Sequence, residues 1–219
     1  MQIRVITVER EYGSGGAMIA QRLAERLGWK LWDRDLTEEI ARVARVDHKA
    51  AERCDERCDP LLYRLFKVYA RGSYERHLPV DSDSGGVFDT DRMVGILRKV
   101  VADVASRGNC VILGRGSPFI LQDRPDAFHV FVFASAEEKI RRVMTLGKSE
   151  KEAAQLVEEI DAERAAFIRR YFGKVWPHRP LYNLMINSKF GDELVVDTIL
   201  QGVAALEKLP ASAAQSVKV

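Results

Sequence analysis

Residues 8–18, Val-Glu-Arg-Glu-Tyr-Gly-Ser-Gly-Gly-Ala-Met, hold the residue types best suited to chemistry in this 219-residue chain. They lie between an apolar run (Ile3, Val5, Ile6, Val8) and a segment whose apolar positions Ile19, Ala20, Leu23, Ala24 and Leu27 share one helical face. A glycine-rich turn from a first strand into a first helix can cradle an anion. Backbone N–H groups of Gly13, Ser14, Gly15 and Gly16 converge there, and the helix start adds its positive end. The same geometry also serves as a plain tight connection. In the usual phosphate-loop spacing the last required glycine is followed by Lys and then Ser or Thr. With Gly15 in that place, Gly16 stands for the Lys, and Ala17 or Met18 for the metal-binding hydroxyl. The cradle is present without its usual cation and hydroxyl, and Arg10 is the nearest cation within the loop.

Two further groups carry chemistry. Asp33-Arg34-Asp35 follows a short apolar run, and Gly114-Arg115-Gly116 ends another. Carboxylates at 33 and 35 suit helix capping or a hydrated Mg²⁺. An arginine between two glycines suits bidentate binding of an anion. Arg141, Arg142, Arg164, Arg169 and Arg170 lie on helical stretches, where charges ordinarily face water and Glu137 and Glu138 are spaced to pair with Arg141 and Arg142.

The elements that must position these groups follow from periodicity. Strands are expected at 3–8, 30–32, 109–113, 128–133 and 184–186, and helices at 17–27, 36–46, 48–57, 60–77, 90–107, 149–172 and 191–206. Another helix opens at Ser135, where Ser135 and Glu138 have capping-box spacing. Residues 77–89 read as a polar loop, and 210–219 as a flexible tail. Alternating strands and helices define an α/β fold, a parallel five-stranded sheet with helices on both faces. Ligands of such sheets sit outside the carboxyl ends of the strands, where 13–16, 33–35 and 114–116 all fall.

Bulk composition excludes several classes. Basic and acidic residues stand at 34 against 32, a net charge of +2, which makes no case for nucleic-acid binding. No apolar run reaches the roughly 18–20 residues of a membrane span. Cys54, Cys58 and Cys110 make no disulfide framework, and no leader pattern opens the chain, so a cytoplasmic protein is expected. A single domain over 1–209 is expected, with a helical insertion at about 54–88. The insertion's Leu61, Leu65, Phe66 and Tyr69 suit either packing on the core or a homodimer face.

With these motifs in place the chain resembles the cytidylate kinase-like branch of the P-loop nucleoside monophosphate kinases. The likeness is carried by Arg10-Glu-Tyr-Gly-Ser-Gly-Gly16, Trp32-Asp-Arg-Asp-Leu36, Cys110-Val-Ile-Leu-Gly-Arg-Gly116, His129-Val-Phe-Val-Phe-Ala-Ser-Ala-Glu-Glu-Lys-Ile-Arg-Arg142, Asp161-Ala-Glu-Arg164 and Tyr182-Asn-Leu-Met-Ile-Asn187. It implies a P-loop three-layer fold with a helical acceptor and lid region. It also implies ATP and Mg²⁺ as cofactors, and a small phosphorylated acceptor for which CMP or dCMP is the best match. The implied donor site is Tyr12, Gly13, Ser14, Gly15, Gly16, Ala17 and Met18. The implied acceptor site is Asp33, Arg34, Gly114, Arg115 and Gly116. Arg10, Arg141, Arg164 and Arg169 become catalytic candidates on a lid near 141–170, and Asp33 and Asp35 candidate metal ligands. Two departures concern cytosine recognition. True cytidylate kinases continue Gly-Arg with Asp, where Gly116 stands here, and carry Thr-Gly-Ala-Met-Tyr-Arg where this chain has Arg34-Asp-Leu-Thr-Glu-Glu39. A nucleotide-binding sensor without turnover and a kinase for another small molecule are the competing readings.

Overall fold

The computed structural model describes residues 2–33, 35, 36, 38–40, 42, 43 and 90–209. Arg34, the insertion with Cys54 and Cys58, and the tail from Pro210 lie outside the described residues.

Five parallel strands form one sheet in the order β2-β3-β1-β4-β5. They are β1 (Val5–Arg10), β2 (Lys30–Trp32), β3 (Cys110–Leu113), β4 (Ala127–Phe133) and β5 (Leu184–Asn187). Among the described residues the helices are α1 (Gly16–Leu27), α2 (Thr90–Arg107), α3 (Ser117–Ile120), α4 (Ala136–Met144), α5 (Glu150–Phe172) and α6 (Asp192–Glu207), and positions 35, 36, 38–40, 42 and 43 are helical too. β1 is central and wholly buried, as a strand covered on both faces must be. Its alternation divides the core. Ile6 and Val8 face α1 and α6, with Ile19, Leu23, Val196 and Ile199. Val5 faces the other way, toward Val100, Val104, Phe119, Phe167 and Ile168 from α2, α3 and α5. With period two, Glu9 continues the face of Val5, and Arg10 the face of Val8.

Helix boundaries follow local chemistry. Gly15, with φ of 79°, starts α1, and left-handed Gly28 ends it. Ser135 caps α4 by accepting the Glu138 N–H, but the reciprocal contact is absent; the full capping box lies at Ser149 and Glu152, opening α5. In α5 the buried residues Ala153, Val157, Ile160, Arg164 and Phe167 follow the 4-3-4-3 spacing of a packed helix face. α3 is a four-residue helix that periodicity does not announce. Among the described residues, no helix is long and apolar enough to cross a membrane.

His129 lies inside β4, where its Nδ1 is 2.7 Å from Thr7 Oγ1. Burial lowers its pKa to about 4, against an opposing hydrogen bond to the Leu121 backbone. A histidine kept neutral in the fold but titrating normally when unfolded supports stability above about pH 6.5. That support declines as pH falls toward 4, by up to about 3 kcal/mol in total. Urea unfolding between pH 7 and 4.5 should register the decline, and His129→Gln should remove most of it; the same slope in both proteins would assign the acid sensitivity elsewhere.

Candidate active site

The segment from Glu9 to Gly16 leaves the carboxyl end of the central strand and turns into α1. Gly13 and Gly15 have φ of 75° and 79°, a region that glycine enters freely. Close packing reserves two positions for glycine. A Cβ on Gly13 would stand 2.8 Å from the Lys139 carbonyl oxygen, and one on Gly16 2.5 Å from Arg10 Cβ. Gly15 is roomier, with Arg142 and Asp192 side-chain atoms 3.6 Å from such a Cβ. No side chain caps the start of α1, so its first N–H groups remain for an anion. The Ser14 hydroxyl is buried and donates to the Glu11 carbonyl at 2.8 Å, shaping the loop from within. Ala17, in the first turn of α1, packs partly into the core, and Met18 beside it is exposed.

The loop is held from α4 and α5 by an ionic network. Asp161 Oδ1 accepts the Tyr12 N–H at 2.7 Å and an Arg164 N–H at 3.4 Å. Its Oδ2 accepts from Lys139 Nζ at 3.1 Å, and that same ammonium lies 3.0 Å from Glu11 Oε2. Arg164, fully buried, donates to the Arg10 carbonyl at 2.8 Å. Burial works against the Lys139 charge, but Asp161 and Glu11 outweigh it, and the pKa is raised. The Tyr12 ring packs with Val143, Ala153, Val157 and Ile160. Arg142 reaches the loop from the end of α4, donating to the Gly13 carbonyl at 3.4 Å, to Ser188 Oγ at 2.7 Å and to the Ser188 carbonyl at 3.1 Å.

Beside the loop, β3 ends in three successive left-handed residues, Gly114, Arg115 and Gly116. Arg115 is buried; its Nη2 donates to the Asp33 carbonyl at 3.3 Å and lies 3.8 Å from Asp33 Oδ1. Glu9 Oε1 accepts the Gly116 N–H at 3.1 Å. Burial raises the Glu9 pKa, while Arg10, Arg164, the Gly116 N–H and Trp176 pull it down.

The structure thus gathers Arg10, Tyr12, Gly13–Gly16, Asp33, Gly114–Gly116 and Arg164 at the carboxyl ends of β1, β2 and β3. It does not bring Arg141, Arg169 or Asp35 into that group. Arg141 stands in water beside Glu138, 3.2 Å away; Arg169 is exposed; Asp35 pairs with Lys30 at the surface, 2.9 Å away. The connection between α4 and α5 spans only residues 145–149, and α5 seats its buried stripe on the core. Lys139, Glu9 and Glu11 join the site although the motifs did not single them out as its members, and Arg142 joins it from among the helical arginines. Arg164 had a legible signal, as a charged residue on the apolar stripe of α5.

A central parallel strand, a glycine-rich loop and an uncapped helix start give an α/β protein with the fold of the P-loop kinases. Solved structures that share the fold include these two. An uncharacterized protein from Eubacterium ventriosum ATCC 27560 is 21% identical with a TM-score of 0.66, the match covering 93% of this chain and 99% of that one. A gluconokinase from Sinorhizobium meliloti 1021 is 14% identical with a TM-score of 0.52, covering 94% and 95%. The family model of the cytidylate kinase-like family matches residues 5–189, and the chain belongs to that family. No curated protein matches it.

Proposed function

We propose that this chain is a phosphotransferase that moves the γ-phosphoryl group of ATP onto a small phosphorylated acceptor, a nucleoside monophosphate such as CMP or dCMP. The observation that carries the reading is the adjacency of two anion-binding devices. The loop offers the backbone N–H groups of Gly13, Gly15 and Gly16 at an uncapped helix start, the Ser14 N–H donating instead to the Glu11 carbonyl at 3.3 Å, and the turn beside it offers the buried guanidinium of Arg115. Phosphoryl transfer asks chiefly for such positioning and positive charge. An acceptor phosphate needs no strong base. Arg10 and Arg164, both buried at the root of the loop, supply cationic charge where the usual lysine is missing.

The donor set fits a particular kind of Mg²⁺ use. Among the described residues, no three His, Cys, Asp or Glu side chains gather to hold a metal. Mg²⁺ in nucleotide sites keeps several waters and is held largely by substrate phosphates with one or two carboxylates. Asp33 is the candidate carboxylate here; bound Mg²⁺ would neutralise phosphate charge.

A second reading, a nucleotide-binding sensor, is favoured by one observation. Lys139, the lysine beside Gly13, is committed to Glu11 and Asp161. ADP release from Mg-ATP against a panel of nucleoside monophosphates, with an acceptor-free control, tests the two. Stimulation by one acceptor is expected. Measurable ATP binding without stimulation by any would favour the sensor, or a kinase acting on a different small molecule.

A further inference from the structure

Glu9 is a fully buried carboxyl on the central strand, in a place where an apolar residue of similar volume would serve the core at least as well. It takes one N–H across 107 positions of sequence, that of Gly116. The turn it reaches is costly. Arg115 has φ of 59°, between Gly114 and Gly116 at 67° each, and a left-handed non-glycine residue costs about 1–2 kcal/mol. Such a conformation persists only where its surroundings hold it, and it concentrates at functional sites.

Several hydrogen bonds do the holding: the Gly116 carbonyl accepts the Phe119 and Ile120 N–H groups at 3.0 and 3.1 Å, and Arg115 donates to the Asp33 carbonyl. Gly114 N–H donates to the Val8 carbonyl at 2.9 Å, Ser117 N–H to the Gly114 carbonyl at 3.1 Å, and Gly116 N–H to Glu9 at 3.1 Å. The bonds from Gly114 and Gly116 tie the turn to β1, immediately before the phosphate loop, and of those two Glu9 contributes the one that depends on side-chain identity. Phe172 closes the turn from α5; a Cβ on Gly116 would meet it at 2.7 Å.

We infer that Glu9 is a positioning residue: it fixes the turn carrying Arg115 against the strand carrying the phosphate loop, so that acceptor and donor phosphates are held at one separation. This rests on the acceptor role proposed above for Arg115. The groups acting on Glu9 are Arg10, next to it on the strand but on the opposite face, Arg164 on α5, the Gly116 N–H and Trp176, and burial outweighs them and raises its pKa. In either protonation state the carboxyl offers an oxygen to the Gly116 N–H, as a glutamine amide does, so glutamine preserves the contact. Alanine removes it, and methionine removes it at nearly constant volume.

The test compares wild type, Glu9→Gln, Glu9→Ala and Glu9→Met as full-length chains, with Mg-ATP and the best acceptor of the nucleoside monophosphate panel. The acceptor KM should rise at least about tenfold in Glu9→Ala or Glu9→Met, with the ATP KM within about twofold of wild type. Amide hydrogen exchange should quicken at least about tenfold in a peptide spanning 113–119 and stay unchanged at 11–18. Glu9→Gln should restore both. Should Glu9→Ala fail to fold, Glu9→Met takes its place. Equal changes in both KM values, equal quickening of both peptides, or a glutamine variant as impaired as alanine would overturn the inference. If no nucleoside monophosphate stimulates the wild type, the acceptor reading has failed separately and the exchange contrast alone decides. Selective loosening of 113–119 then upholds the role of Glu9, and unchanged protection refutes it.

Discussion

Replacing Arg115 with alanine is expected to lower kcat/KM for the acceptor by at least about a hundredfold, the loss that follows from about 3 kcal/mol of charged hydrogen bonding. The fold holds this side chain in an uncommon backbone conformation, buried, with its guanidinium against the Asp33 carbonyl. A planar fork held in that way meets a phosphate through two parallel bonds, which a lysine ammonium cannot reproduce. Arg115→Lys should therefore recover only part of the loss. The ATP KM should stay within about twofold of wild type, because the donor loop has its own supports. Thermal unfolding belongs in the same experiment, since the substitution removes a cation 3.8 Å from the Asp33 carboxylate. A folded Arg115→Ala protein with unchanged acceptor kinetics would take Arg115 out of the acceptor site.

How far the sequence could be read depends on what each feature is made of. Short buried strands announce themselves by apolar runs, so β2 falls at 30–32 as expected, and β3 and β4 within one residue of expectation. α3 went unseen because four residues, Ser-Pro-Phe-Ile, contain no period. The spacing at Ser135 and Glu138 announced a capping box, yet the Glu138 carboxylate turns to Arg141 instead of the helix start. In the site, Gly13–Gly16 and Gly114–Gly116 were legible because left-handed turns select glycine. The arginines were not separable by charge alone: Arg141, Arg164 and Arg169 look alike until the stripe through Ala153, Val157, Ile160 and Phe167 marks Arg164 as the inward one. Glu9, Glu11 and Lys139 were illegible for another reason. Each is an ordinary charged residue whose partner lies far along the chain, and only the parallel pairing of β1 with β3 and β4 brings those partners near. The alternation that sends Glu9 and Arg10 to opposite faces was readable, but what waits on each face was not.

The largest loss of stability is expected from Asp161→Ala. This carboxylate joins three parts of the site at once: the Tyr12 N–H of the loop at 2.7 Å, Lys139 at 3.1 Å and Arg164 at 3.4 Å. Removing it leaves a loop amide unpaired and two cations without their shared acid. Breaking one side of a buried ionic group costs about 3–5 kcal/mol, and this partly exposed one, in which Lys139 keeps Glu11, should reach the lower end of that range. Urea unfolding should show a loss in that range, and calorimetric titration with ATP should show at least about a tenfold weaker affinity where the protein remains folded. Asp161→Asn separates the contributions. Its amide oxygen can still accept the Tyr12 N–H, so the loop keeps its anchor while the charge is lost, and ATP affinity should suffer less than in Asp161→Ala. If both variants weaken ATP equally, charge rather than the loop contact governs the site. A loss below about 1 kcal/mol in Asp161→Ala would be the value of a surface pair, and would mean that α5 does not carry the phosphate loop.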